Sequence, residues 1–293
     1  MTFPGIEKQR ALAKTALLQM GDFAKQHIRF VCAPLRICPL GAHIDHQGGP
    51  VLGMTIDAYV VLAFVPDREG VVRLRSANFT GESRFFLDDL NNAKVPTWGK
   101  YAIGAARVLQ KWALLQSGFS GAIHGILPGG GLSTSAAVGL ACLRALAACN
   151  DVKLNNDDLV ELDRRIENDV LGLQNGILDP AAIVHGRREH LIRIDTRTGA
   201  IEAVPKNPNA VPFRILIAYS GVSRQLVDSS FNERVAECRQ AAQLLGQKAG
   251  IPAAKILADV PQVHFEKHRK ALPAPLQKRA LHFYSEVARV EKG

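Results

Sequence analysis

Two stretches of this chain gather side chains capable of chemistry. In VCAPLRICPLGAHIDHQGGPVLGMTID, residues 31 to 57, Arg36 is followed within fourteen residues by Gly41, His43, Asp45, His46 and Gly48-Gly49. A cation, a carboxylate and two imidazoles gathered without helical or strand periodicity describe a binding loop rather than an amphipathic face. A polar turn with Asp45 as a helix cap and a Gly-Gly bend would account for the same run. The second stretch is PGGGLSTSAAVGLACLRAL, residues 128 to 146. It places Gly129, Gly130 and Gly131, then Leu132 and the hydroxyls of Ser133, Thr134 and Ser135, before an alanine-rich helix. Glycines let the backbone approach a phosphate, and the N–H groups of a helix's first turn point at it. A capped helix after a glycine turn is the plainer account, but it needs one capping residue where this run has three hydroxyls. No Gly-Lys-Ser/Thr follows, so the stretch is not a P-loop.

The elements that must position these residues can be read from periodicity. Apolar runs ending at Ala33-Pro34 and running from Val51 to Ile56 enclose the first loop as strands. A leading amphipathic helix is expected within Gly5–Phe23. Tyr59–Val65, Val71–Ser76 and Arg84–Leu87 predict short strands in an antiparallel meander, and Trp98–Gln116 predicts a helix. Ala122–Leu127 predicts the strand leading into the glycines, and Asn156–Leu171 a helix carrying Glu167. His190–Ile194 and Ile201–Val204 predict a hairpin closed at Thr198-Gly199. Phe213–Ser220 predicts a strand, and Phe231–Gly246, Pro261–Arg269 and Leu276–Val290 predict helices. The Asn- and Pro-rich run from Pro205 to Pro212 is the expected boundary between domains at 1–205 and 206–293.

Composition narrows the class. With 293 residues, 47% of them hydrophobic and 22% charged, the chain is an ordinary globular protein with room for two domains. No apolar run is long enough to span a bilayer, and no secretory leader is evident, so the expected compartment is the cytoplasm. Five cysteines without CxxC pairs predict free thiols. A net charge of +9 suits anionic ligands. The basic residues are scattered and aromatics make up only 6%, which argues against nucleic acid as a partner.

The run CPLGAHIDHQGG resembles the first motif of the GHMP kinases, the superfamily that includes galactokinases, and within it looks most like plant-type galacturonokinases. The GLSTSA run is similar to the second motif, at the right distance after the first. The segment ENDVLGLQNGILD resembles the family stretch in which the first Glu helps to hold magnesium and the final Asp is catalytic. The resemblance implies an α+β, two-domain GHMP kinase fold, with a left-handed βαβ-type N-terminal domain and a partial α/β sandwich after it. It also implies ATP and Mg2+ as cofactors and a small sugar, a uronic acid or galactose, phosphorylated at its anomeric hydroxyl. Asp179 and Arg36 would then be catalytic, and Ala42, His43, Asp45 and Gly176 would bind the sugar. Trp98 and residues 129 to 135 would hold ATP, with Ser135 and Glu167 on the metal. Read from the residues alone, Glu167 is as well explained as a solvated helix charge, Asp179 as a helix cap before Pro180, and Trp98 as core packing.

Two departures concern the sugar. Galactokinases carry an acid where this chain has Ala42, at a place that bonds the C6 side of the sugar, and Phe231 stands where they usually have a sugar-contacting Tyr. Removing the acid suits a substrate whose C6 is a carboxylate. The third glycine-rich motif of the family has no counterpart before Gly293. An incomplete second domain that self-associates, or a non-catalytic sugar or nucleotide binder, is the expectation drawn from that difference.

Overall fold

The computed structural model describes residues 3–126, 131–209, 211, 213–218 and 230–293. Contacts group the chain into two units. One comprises Met1–Arg36, Thr55–Gly172 and Ile215–Ser223; the other comprises Ile37–Met54, Leu173–Arg214 and Arg224–Gly293. The architecture is mixed α and β, as the resemblance implies.

The first unit is organised on the second half of β2 (Val51–Asp67), whose near-continuous apolar sequence buries both faces. Val61, Ala63 and Val65 point one way and join Ala122 of β5 (Gly118–Gly125) with Ala13, Leu17 and Met20, of which Ala13 and Leu17 lie on α1 (Ile6–Leu18). The alternate residues Val60, Leu62 and Phe64 are buried on the other face, where Phe64 meets Phe119 edge-on at 5.9 Å. β3 (Val71–Ser76) pairs antiparallel with β4 (Glu82–Phe86) but parallel with β5, and β5 pairs antiparallel with β2. The expected meander is therefore corrected: the order is β4-β3-β5-β2. Parallel neighbours need a crossover, and α2 (Lys100–Gln110) lies in the connection that supplies it.

α3 (Thr134–Cys149) is rich in alanine, which favours helix and lets neighbours come close; it packs on α2 and β5. The helix expected over Asn156–Leu171 divides into α4 (Asn156–Arg165), opened by an Asn155–Asp158 capping box, and a π-helical turn at Ile166–Val170. A π turn adds a residue to the repeat and so re-aims the chain beyond it. Trp98 also leaves its expected helix, standing in a 3-10 turn, Thr97–Gly99, just before α2.

In the second unit, β6 (His190–Ile194) and β7 (Ile201–Pro205) form the expected hairpin. The Asp195 carboxylate accepts N–H bonds from Arg197 and Thr198 and so fixes the turn. β6 pairs with Val51–Gly53 of β2. α5 (Leu178–His185), α6 (Phe231–Ala249), α7 (Gln262–His268) and α8 (Ala274–Lys292) complete the described helices of this unit. α6 packs along α8, with the Arg279 guanidinium on Glu237 at 2.6 Å. Phe265 and Tyr284 stack at 4.6 Å, and the Tyr284 hydroxyl donates to the Val260 carbonyl at 2.8 Å. The strand expected over Phe213–Ser220 is not formed across 213–218, and its last two residues lie outside the described part. A strand owes its stability to a ladder partner, and no described strand pairs with this segment. None of the five cysteines is joined in a disulfide. Among the described residues, no helix is long and apolar enough to cross a membrane.

Candidate active site

In the first unit, the end of the glycine loop is tied to Arg36. β1 (Arg29–Leu40) brings the Arg36 main-chain N–H to the Leu132 carbonyl at 3.2 Å and its guanidinium to the Gly131 carbonyl, also at 3.2 Å. Gly129 and Gly130 lie outside the described residues. Gly131 has φ +75°, open to glycine at no steric cost, and the buried Ser133 has φ 59°. Ser133 is the residue before α3, yet its side chain makes no capping bond. The plain capped-helix account therefore fails, and a non-glycine residue is held in a left-handed conformation at the helix entrance. The Thr134 hydroxyl is buried without a hydrogen-bond partner among the described residues.

Glu167 is buried, 3% exposed, so the solvated-charge account is also set aside. The π turn that carries it packs on α2, where Gly104 leaves room for Ile166. Tyr101 of α2 links two of the sequence candidates. Its hydroxyl is pushed well above the usual tyrosine range, first by burial and then by the negative charge of Glu167, while a side-chain hydrogen bond to Ser135 opposes the rise. One ring thus senses both the Glu167 carboxylate and the Ser135 hydroxyl. Among the described residues no three His, Cys, Asp or Glu side chains cluster as a metal cage. One carboxylate and one hydroxyl would be a fitting share for Mg2+, which takes hard oxygens and keeps water and phosphate for the rest. Trp98 is half-buried, not a core residue, and its indole N–H donates to the Thr80 carbonyl at 3.1 Å.

In the second unit, the loop of residues 41 to 49 and the segment 173 to 179 come together. The Leu178 N–H donates to the Asp45 carboxylate at 3.3 Å. Desolvation of the Asp45 carboxyl, and then the charge of Asp179, raise its pKa above the ordinary carboxylate value, against the N–H groups of Leu178 and His46 that lower it. The charge of Asp179 is thus felt at Asp45. Gly176 leaves room for Asp45, since a β-carbon there would collide with the Asp45 carboxylate. Asp179 stands in the first turn of α5, second after the capping position Ile177, so it is not the cap. His43 is exposed, with φ 60°, and its ring lies 6.4 Å from Phe231, the first residue of α6. His46 meets the same ring at 5.7 Å. Burial, then the charges of His43 and Arg239, depress the His46 pKa to about 4, so its imidazole is neutral near pH 7.

The loop's anchors were not singled out in the sequence. Buried Gln47 accepts the Leu257 N–H at 3.2 Å, the Glu286 carboxylate accepts the Gly41 N–H at 2.9 Å, and a ring nitrogen of His282 lies 2.9 Å from the Ala42 carbonyl. The Thr196 hydroxyl donates to the carbonyls of Asp45 and Gly49. These partners lie 147 to 245 positions away in sequence, too far for any local spacing to signal them.

Comparison with known proteins fits this geometry. Residues 100–187 match the family model for the GHMP kinases N terminal domain, and residues 21–66 match the galactokinase galactose-binding signature. A galacturonokinase from Arabidopsis thaliana is 42% identical over 301 residues, covering 96% of this chain and 71% of the relative. A galactokinase from Roseiflexus sp. is 31% identical over 264 residues, covering 90% of this chain and 66% of its own. The crystal structure of Lactococcus lactis galactokinase complexed with galactose matches with a TM-score of 0.81 at 27% identity, over 96% of this chain and 72% of that one. Methanococcus jannaschii mevalonate kinase, with a TM-score of 0.56 at 15% identity, shares the fold alone. The chain belongs to the GHMP kinases. Within that family it stands with the sugar kinases, next to galacturonokinase and galactokinase relatives.

Proposed function

We propose that this chain transfers the γ-phosphoryl group of ATP to the anomeric hydroxyl of galacturonate, giving galacturonate 1-phosphate. The observation that carries the substrate is Ala42. The loop that holds Asp45 and His43 lacks an acid at this position, and the relative 42% identical over nearly the whole chain is a galacturonokinase. An acid at ~4 Å from a substrate carboxylate would cost about 4 kcal/mol at an effective dielectric near 20, close to a thousandfold in affinity. Its absence favours a uronic acid over a neutral hexose, which would lose an acceptor.

The roles follow from what each group can do. Residues 131 to 135 and the first turn of α3 would hold the nucleotide phosphates through N–H groups and hydroxyls, with Gly129 and Gly130 before them and Trp98 against the base. Ser135 and Glu167 would hold Mg2+, which offsets phosphate charge when bound. Arg36, braced on the glycine loop, would stabilise charge on the transferring group. Asp45 and His43 would hold sugar hydroxyls, with Gly176 shaping the wall beside Asp45. Asp179 would accept or orient the proton of the attacking hydroxyl. That proton leaves the oxygen as the bond to phosphorus forms and the bond to ADP breaks.

The test is a coupled ADP-release assay with galacturonate, galactose and no sugar. The expected result is sugar-dependent turnover with kcat/KM for galacturonate at least about tenfold above that for galactose. A preference for galactose would assign the chain to that substrate. ADP release independent of either sugar would end the sugar-kinase mechanism proposed for these residues.

A further inference from the structure

We propose that Arg239 is the cation that receives the substrate carboxylate, and so sets the preference for an acidic sugar. This inference rests on the galacturonate reading above. Dropping the acid at Ala42 removes a repulsion but supplies no partner, and a carboxylate taken out of water without one is strongly disfavoured.

Several cations of the second unit are already engaged, and Arg234, exposed and five residues before Arg239, stands on a different face of α6. Arg279 is engaged with Glu237, Arg289 with Glu286, and Arg197 with Asp259 at 3.6 Å. His282 already has a ring nitrogen on the Ala42 carbonyl. Arg239 makes no ion pair among the described residues; its one hydrogen bond there is from Nη1 to the neutral Gln174 side chain at 2.6 Å. Among the described residues the guanidinium therefore meets no countercharge and leaves most of its planar donor fork unused, the geometry that matches a carboxylate.

Its placement is fixed from two sides. α6 packs on the turn Asp45–Gln47, and its first residue, Phe231, meets the rings of His43 and His46. Asn232 and Arg239, seven residues apart, lie close to one helix face. The Asn232 side chain accepts the Gln174 N–H at 3.1 Å while Arg239 holds the Gln174 side chain. Gln174 stands two residues before Gly176, so the guanidinium is tethered to the segment that abuts Asp45. The charge of Arg239 is felt inside the loop, where it is one of the causes that keep His46 neutral.

The test is a comparison of wild type with Arg239→Gln and Arg239→Lys, measuring kcat and KM for galacturonate, galactose and ATP. Thermal denaturation serves as a check on folding. The expected result for Arg239→Gln is a galacturonate KM raised about ten- to hundredfold, with galactose and ATP KM within about threefold of wild type. Arg239→Lys should fall between, keeping the charge and losing the fork. Added salt should raise the galacturonate KM of wild type more than that of Arg239→Gln. Equal losses for both sugars, or an unchanged ratio of the two KM values, would overturn the assignment while leaving galacturonate as the substrate. A wild type that phosphorylates only galactose would overturn both.

Discussion

The most direct perturbation of the sugar loop is Gly176→Ala. Gly176 does not have a positive φ, so alanine meets no backbone penalty there, and the whole effect comes from the added methyl group. That methyl would stand 2.6 Å from Cγ and 2.8 Å from Cβ of Asp45, where carbon atoms prefer about 3.5 to 4.0 Å. Asp45 must retreat by about 1 Å, and it has little freedom to do so. Its carboxylate holds the Leu178 N–H, its carbonyl holds the Thr196 hydroxyl, and its loop is pinned through Gln47 to Leu257. Overpacking of this kind costs about 1 to 3 kcal/mol, which should lower Tm by several degrees. A reacting group displaced by about 1 Å can lose about a hundredfold in rate. Steady-state kinetics on Gly176→Ala should therefore show kcat/KM for the sugar down about a hundredfold and KM for ATP unchanged. Wild-type sugar kinetics with a lowered Tm would mean that the Asp45–Gly176 contact is structural only. If neither quantity moved, the close approach itself would be refuted.

The other expectations can be checked alongside. Asp179→Asn should lower kcat by at least about a hundredfold; calorimetry should find ATP affinity unchanged, and wild-type turnover would remove Asp179 from the transfer step. Ala42→Glu should weaken galacturonate by up to about a thousandfold and galactose much less; equal losses would mean steric damage and would sink the charge argument. His46 is neutral in the folded state and ionises at its ordinary pKa of 6.5 when unfolded, so stability should fall as pH drops from 6.5 toward about 4. Denaturant titrations should show that His46→Gln loses less stability than wild type across that interval, and parallel curves would count against the assignment.

The elements, and the chemistry they carry, were legible along the chain because they are local. The continuous apolar run Val60–Val65 set the buried strand of β2, alanine richness set α3, and Thr198-Gly199 set the β6–β7 turn, since each depends on neighbours only a few residues apart. The candidate residues were visible for the same reason: Asp45 with His43, and the GLSTSA run, are local patterns. Which strands became neighbours was a matter for the folded chain, since β5 enters between β2 and β3 across a long connection that periodicity does not encode. Folding also put Glu167 in a buried π turn beside Tyr101, kept Asp179 from being a cap, and made Gly176 yield its volume to Asp45. Burial and mutual repulsion of charges are properties of groups brought together in space, so the raised pKa of Asp45 could not be read along the chain. The same holds for Arg239. In sequence it is one of two arginines on α6, and it becomes distinctive only because folding sets its guanidinium on Gln174, beside the segment that abuts Asp45.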